Sequence, residues 1–161
     1  MPKNTVDIPE GRCNCLAVRQ AARYLTAVYD QALSRAGIRA TQFSILHKLL
    51  AGGPLAIGEL AAAIAMDRTT LATNLKLLER NGLIDMVAGE DRRVKIAVLT
   101  KAGAARYHTA LPHWQAVQSQ FEGRYGERRA ENLRKSLREV LQSGFEPWAE
   151  AEGNGEVQET N

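Results

Sequence analysis

The sequence lacks almost everything that chemistry at a catalytic centre requires. It has two cysteines, Cys13 and Cys15, in 161 residues. That is too few for a disulfide framework and agrees with a reducing compartment. Of its three histidines, His47, His108 and His113, the last two are five apart and so fall on different helix faces. None stands at a metal-site spacing. There is no glycine-rich phosphate loop, no Gly-x-Ser-x-Gly and no acid pair placed for proton transfer. Neither an enzyme nor a cofactor or metal is expected. Aromatic residues make up only 6% of the chain while alanine is abundant, which favours helix over an aromatic-rich β architecture. No apolar run approaches the roughly 20 residues of a membrane span, and the opening "MPKNTVDIPEG" has no signal-peptide core. A cytoplasmic chain without membrane contact is expected.

What is present is basic charge, unevenly spread. Residues 1–101 hold 14 Lys+Arg against 9 Asp+Glu, and residues 102–161 hold 7 against 9. Glu146, Glu150, Glu152, Glu156 and Glu159 fall in the final stretch with no basic residue among them. The formal net charge of +3 thus conceals a basic body, compatible with a nucleic-acid partner.

Periodicity divides the chain. Residues 1–11 read as a flexible lead-in. From Arg12 to about Ala36, Leu16, Val18, Ala21, Ala22, Leu25, Val28, Tyr29, Ala32 and Leu33 recur at helical steps. The helix ends at Gly37, and its apolar stripe is wider than one small neighbour would cover. "RATQFSILHKLLAGGP" reads as a shorter helix with Thr41 as cap, and a compact helix follows around Ile57 to Ala65. Asp67 caps a third, "RTTLATNLKLLERNG", so two short helices meet at a tight turn. "LIDMV", the turn "AGED" and "RRVKIAVLT" read as a β-hairpin. Thr100 caps a long helix to about Glu122, kinked by Pro112, and a last helix spans about Glu127 to Ser143. Residues 146–161 are acidic, without periodicity and expected to be disordered. The fold class is mainly α with a small β-hairpin wing: a winged helix-turn-helix over 37–100, flanked by long helices at 12–36 and 101–145.

On a helical wheel, Leu71, Leu75 and Leu78 fall within about 60° of one another and face the core. Thr69, Thr73, Lys76 and Arg80 lie opposite, with Arg68 and Thr70 near the N-terminal end and Asn74 beside them. Threonine suits base edges and thymine methyls, and Lys76 and Arg80 are long enough for phosphates. This pattern is that of a recognition helix. Two adjacent arginines, Arg92 and Arg93, then stand at the hairpin tip, where the chain offers nothing to pack against.

Asp91-x-Arg93, five residues, and then Leu99-Thr100-x-x-Gly103 form a motif within this architecture. With "LERNGLI", "IGELAAAIAMDRTTL" and the proline-bearing "LPHW", it makes the chain resemble the MarR family over about residues 12–145. The resemblance implies a homodimer with interlocked terminal helices that places recognition helices in major grooves and wings in minor grooves of double-stranded DNA. It implies a repressor of pseudo-palindromic operators released by a small aromatic or phenolic ligand. Arg92 would be the minor-groove reader, and Arg93, paired with Asp91, would partly brace the wing. The chain departs from the family in three places, one of them a wing about one residue shorter. Asp85-Met86-Val87 stands where many members are basic, and Thr73 or Asn74 stands where an arginine is common. Fewer basic contacts imply weaker non-specific binding and a shallower salt slope.

A ligand pocket in such a fold would lie between the dimerisation helices and the winged helix, with Arg19, Arg23, Tyr24, Phe43, His47 and Trp114 as candidates. Plain packing is the alternative for each. Cys13 and Cys15 open the first helix beside Arg12, and oxidant sensing is one reading of the pair. Two residues on a helix point about 200° apart, so oxidation would give sulfenic acid or an intersubunit disulfide sooner than an internal bridge. Small residues filling a dimer interface is the other reading of the pair. A winged helix that binds another protein competes with the DNA reading. RNA is disfavoured, because no stacking aromatics lie on the basic elements.

Overall fold

The long apolar stripe at the N-terminal end folds as helix α1, Asn14–Leu33, extended by a single 3-10 turn over Ser34–Ala36. Gly37 stops it at φ +69°, a left-handed conformation open to glycine at no steric cost. The fold is that of a computed structural model describing residues 11–144. The lead-in of residues 1–10 and the acidic stretch 146–161, with residue 145 before it, lie outside the described residues.

Helix α2, Ala40–Gly52, begins one residue before its expected cap. Thr41 lies inside the first turn. Gln42 Oε1 instead accepts the Arg39 N–H at 2.9 Å, and Asp30 Oδ1 of α1 accepts the Ala40 N–H at 2.7 Å. A carboxylate ten residues upstream thus takes the role expected of a hydroxyl and ties α1 to the start of α2. Asp30 also pairs with Arg39 at 3.7 Å.

Helix α3, Ile57–Ala63, and helix α4, Arg68–Arg80, follow. Asp67 caps α4 as expected, its Oδ1 accepting the Thr70 N–H at 2.8 Å. Strands β2, Ile84–Ala88, and β3, Lys95–Leu99, form the hairpin, and a two-residue strand β1, Leu55–Ala56, pairs antiparallel with β3. The sheet therefore has three strands in the order β1-β3-β2 rather than two. The turn is longer than "AGED" because β3 starts only at Lys95. Gly89 N–H bonds to Val94 O at 2.8 Å and Val94 N–H to Asp91 O at 2.9 Å, which keeps Arg92 and Arg93 in the turn.

Helix α5, Lys101–Tyr125, is capped by Thr100 and continues through Pro112 without ending. Helix α6, Glu127–Leu141, stops two residues short of the expected Ser143. One core joins these elements. Leu33, Ile38, Leu46, Leu49 and Leu60 meet Leu71, Leu75 and Leu78 of α4, Ile84 and Ala97 of the sheet, and Tyr107 and Ala110 of α5. Asn14–Tyr24 are all exposed, as are Leu137, Val140 and Leu141 of α6. The excess apolar stripe is thus left uncovered within one chain.

Candidate nucleic-acid interface

Helix α4 owes its orientation to its two ends and one buried edge. Leu71, Leu75 and Leu78 are buried, so the opposite side is presented outward. On that side Arg68, Thr69, Thr70, Thr73, Lys76 and Arg80 are exposed. Asn74 is only half-buried, and its amide nitrogen donates to Thr70 O at 3.0 Å, so it is the least open of the expected contacts. Thr73 Oγ1 donates to Thr69 O at 3.2 Å. Arg68 reaches back to α3, where a Cβ at Gly58 would lie 3.4 Å from its Nη2. At the N-terminus, the hydroxyl and then the amide of Thr70 hold the Asp67 carboxyl below the usual carboxylate range.

The wing separates its two arginines. Asp91 accepts the Arg93 backbone N–H at 3.0 Å, and its carboxylate also takes Arg93 Nε at 3.1 Å and Nη2 at 3.0 Å. Arg93 is folded onto its own turn, and its guanidinium holds the Asp91 carboxyl below the ordinary value. Arg92 is exposed and, among the described residues, takes part in no ion pair. The base of the wing is joined to α5 through one residue. Thr100 Oγ1 donates to Gly82 O at 2.7 Å and accepts the Gly103 N–H at 2.9 Å, while Thr100 N–H donates to Leu83 O at 3.2 Å.

Behind this surface a cavity of about 260 Å³ opens between α2 and α5, lined by Phe43, Ser44, His47, Lys48, Tyr107, Leu111 and Trp114. Phe43 stacks between Tyr107 (centroids 4.9 Å apart) and Trp114 (5.9 Å). His47 Nδ1 and the Tyr107 hydroxyl share a hydrogen bond of 2.9 Å. Three of the six expected pocket residues, Phe43, His47 and Trp114, converge here. Tyr24 does not; it lines a separate cavity of about 300 Å³ with Phe121, Arg124 and Tyr125. Arg19 and Arg23 are exposed and line neither of these two cavities. Ser44, Lys48, Tyr107 and Leu111 were missed. The helical stride 43/44/47/48 sets Ser44 and Lys48 beside Phe43 and His47, whereas Tyr107 and Leu111 join them only once α5 is laid against α2.

On the far side of Trp114, a polar chain joins three helices. Tyr29 of α1 donates to Gln118 Oε1, Gln118 Nε2 donates to Glu122 Oε1 at 2.7 Å, and Arg134 of α6 reaches the same oxygen at 2.7 Å. Burial, and then the charge of Glu122, push the Tyr29 hydroxyl up from its ordinary value.

Cys13 and Cys15 are both exposed free thiols. Only Cys15 lies in α1. Cys13 is its cap, with extended backbone, and its Sγ accepts the Leu16 N–H at 3.3 Å. The opposite-face geometry expected of two helical residues therefore does not apply to Cys13. Among the described residues, no group of three or more His, Cys, Asp or Glu side chains gathers as a metal site, and no helix is long and apolar enough to cross a membrane.

The profile of the MarR family matches residues 38–95, from two residues before α2 to the first residue of β3. An uncharacterized HTH-type transcriptional regulator of Bacillus subtilis, YwoH, is 31% identical over 90 residues, 56% of this chain and 66% of that protein, just under two thirds of its length. The crystal structure of the M. tuberculosis transcriptional regulator MosR is 35% identical, with a TM-score of 0.73 over 83% of this chain and 96% of that one. The structure of MosR in complex with DNA matches with a TM-score of 0.72, also at 35% identity, over 83% and 99% of the two chains.

Proposed function

The chain belongs to the MarR family of transcriptional regulators, and from that premise we propose that it is a homodimeric repressor binding a pseudo-palindromic operator in the cytoplasm. Residues 37–100 read the DNA, and residues 12–36 and 101–145 dimerise. The observation that carries the reading is the sorting of α4: three leucines buried on one side, and Arg68, Thr69, Thr73, Lys76 and Arg80 exposed on the other. Arg92 at the wing tip adds a free cation suited to a narrow, electronegative minor groove. The local bonds of Thr73 and Asn74 are single, net-weak hydrogen bonds that a base edge can replace. MosR, the relative at 35% identity, is known in complex with DNA, which supports the same partner here. Dimerisation is supported by the exposed Leu16, Val18, Val140 and Leu141, which a lone chain would leave in water.

Release of the operator is assigned to a small aromatic or phenolic ligand in the cavity of Phe43, His47, Tyr107 and Trp114. Those rings offer stacking faces, and Lys48 offers a cation for an acidic group. The test is selection of duplexes from a random library, followed by affinity measurement at two salt concentrations. Arg92→Ala should bind more weakly with a shallower salt slope, and Arg68→Ala and Thr73→Ala should bind more weakly with folding unchanged. Equal affinity in all three variants contradicts the reading.

A second reading has its own observation. Cys13 caps α1 through its sulfur and is exposed beside Cys15, so oxidation of that sulfur changes the group that caps the start of α1. Peroxide should then release operator from the wild type and not from the Cys13→Ser/Cys15→Ser variant. Equal release, or none from either, leaves the cysteines as packing residues.

A further inference from the structure

The cavity between α2 and α5 has a neighbour. A second cavity of about 270 Å³ opens where α1, α2 and α5 meet, and it shares Phe43, Ser44 and Trp114 with the first. Ser44 is small and exposed, so the wall between the two is low on that side. Each cavity exceeds the roughly 150 Å³ that encloses one benzene ring. Together they fall within the roughly 300–1,000 Å³ of ligand pockets, which neither reaches alone. Their far ends differ in chemistry. The first holds the Lys48 cation. The second is lined, among the described residues, by no Lys, Arg or His, and its own polar groups are those of Thr26, Tyr29 and Gln118.

The direction of the protons at that second end is set by Glu122. Hydrogen bonds from Arg134 and then Gln118 hold the Glu122 carboxyl below its ordinary value, and a carboxylate only accepts. Gln118 therefore turns its Nε2 towards Glu122, at 2.7 Å, and its Oε1 towards Tyr29. An amide oxygen also only accepts, so the Tyr29 hydroxyl spends its one hydrogen on Gln118. Burial and the Glu122 charge keep that hydroxyl protonated. What Tyr29 has left to offer a ligand is lone pairs.

We propose that the two cavities form one bipartite effector site, which takes an aromatic acid with its carboxylate at Lys48 and an uncharged hydrogen-bond donor, a hydroxyl or an arylamine, at Tyr29. This site rests on the effector reading above and adds the chemistry of its distal end. A second carboxylate placed there meets an acceptor, and no cation offsets its desolvation. Thr26 is exposed and its hydroxyl can donate, but it carries no charge to hold an anion.

The experiment measures calorimetric binding of three acids to the full-length protein: para-benzylbenzoic acid, and its derivatives with a hydroxyl or a carboxylate at the far para position. Two rings on a one-carbon hinge suit two cavities that meet at a low wall. In the wild type the hydroxyl compound should bind about fivefold more tightly than the parent acid, and the dicarboxylate more weakly than the parent. Tyr29→Phe/Gln118→Met replaces both distal groups by apolar ones of similar shape and should remove the advantage of the hydroxyl compound over the parent. Lys48→Met should weaken all three. Equal affinity of the three acids for the wild type, with Lys48→Met still weakening them, overturns the bipartite site and leaves the effector reading standing. A hydroxyl advantage that survives in Tyr29→Phe/Gln118→Met also overturns it. If none of the three binds the wild type, the effector reading itself falls, and the bipartite site falls with it.

Discussion

Replacing Gly103 by alanine should damage this protein, although the same change at an ordinary helical glycine would help it. Gly103 is buried in the first turn of α5, and a Cβ there would lie 2.0 Å from the Leu83 carbonyl oxygen and 2.8 Å from Leu99 Cδ1. Normal contact between carbon and oxygen needs more than a further ångström, and the nearest obstacle is backbone, so the start of α5 must move away from the wing base. Overpacking of this kind costs about 1–3 kcal/mol. The displacement also strains the bonds from Thr100 to Leu83 O and Gly82 O, each worth about 1 kcal/mol. Against this, alanine is favoured over glycine in a helix by about 1 kcal/mol. The net loss is about 2–4 kcal/mol, a drop in Tm of about 5–15 °C for a chain of this size. Gly123 serves as the control, because a Cβ added there, in the same helix, would meet nothing within 4 Å. Gly123→Ala should raise stability by up to about 1 kcal/mol. Both variants are followed by thermal and urea unfolding at one protein concentration, since dimerisation would couple to the midpoint. A Gly103→Ala protein as stable as Gly123→Ala would refute the reasoning.

Leu71→Ala should cost about 2–5 kcal/mol, because the side chain is fully buried. Thr73→Ala, two residues on and exposed, should leave urea midpoints within about 0.5 kcal/mol; equal losses would contradict the orientation of α4. Tyr107→Phe removes the hydroxyl bonded to His47 and should cost about 1 kcal/mol in the same assay, with no loss counting against that bond. Acid should weaken the fold. The carboxyls of Asp67 and Asp91 are held below their ordinary 3.8 and that of Glu122 below 4.5, the last by Arg134 and Gln118. Depressed folded values mean stabilisation that is complete above the unfolded values and lost as pH falls through the folded ones. Asp67→Asn keeps a capping oxygen without the charge, so it should flatten the acid limb of the urea midpoint below about pH 4.5; an unchanged limb would rule Asp67 out as a contributor.

The winged-helix order was legible in the sequence because its signals are local. Asp67 and Thr100 cap helices through atoms three residues away, and the spacing of Leu71, Leu75 and Leu78 marks a buried edge by itself. What escaped depends on distant partners. Strand β1 has two residues, too few for any periodicity, and exists because β3 pairs with it. The cap of α2 comes from Asp30 on another helix, so the hydroxyl of Thr41 is not the group that starts it. The pocket was half legible. Phe43, His47 and Trp114 were found as aromatic or titratable residues, whereas Tyr107 reads as core until α5 is laid against α2. Arg19 and Arg23 lie outside that cavity, and nothing local tells that the first half of α1 runs clear of it.

The central claim is that α4 and the wing grip DNA together, twice, about a two-fold axis. The most direct test is a hydroxyl-radical footprint of the full-length protein on a duplex selected from a random library, read on both strands. The account predicts a symmetric pattern, with two protected backbone segments about one helical turn apart and minor-groove protection at the flanks that disappears in Arg92→Ala. A single asymmetric patch, or flanking protection that survives in Arg92→Ala, would contradict it.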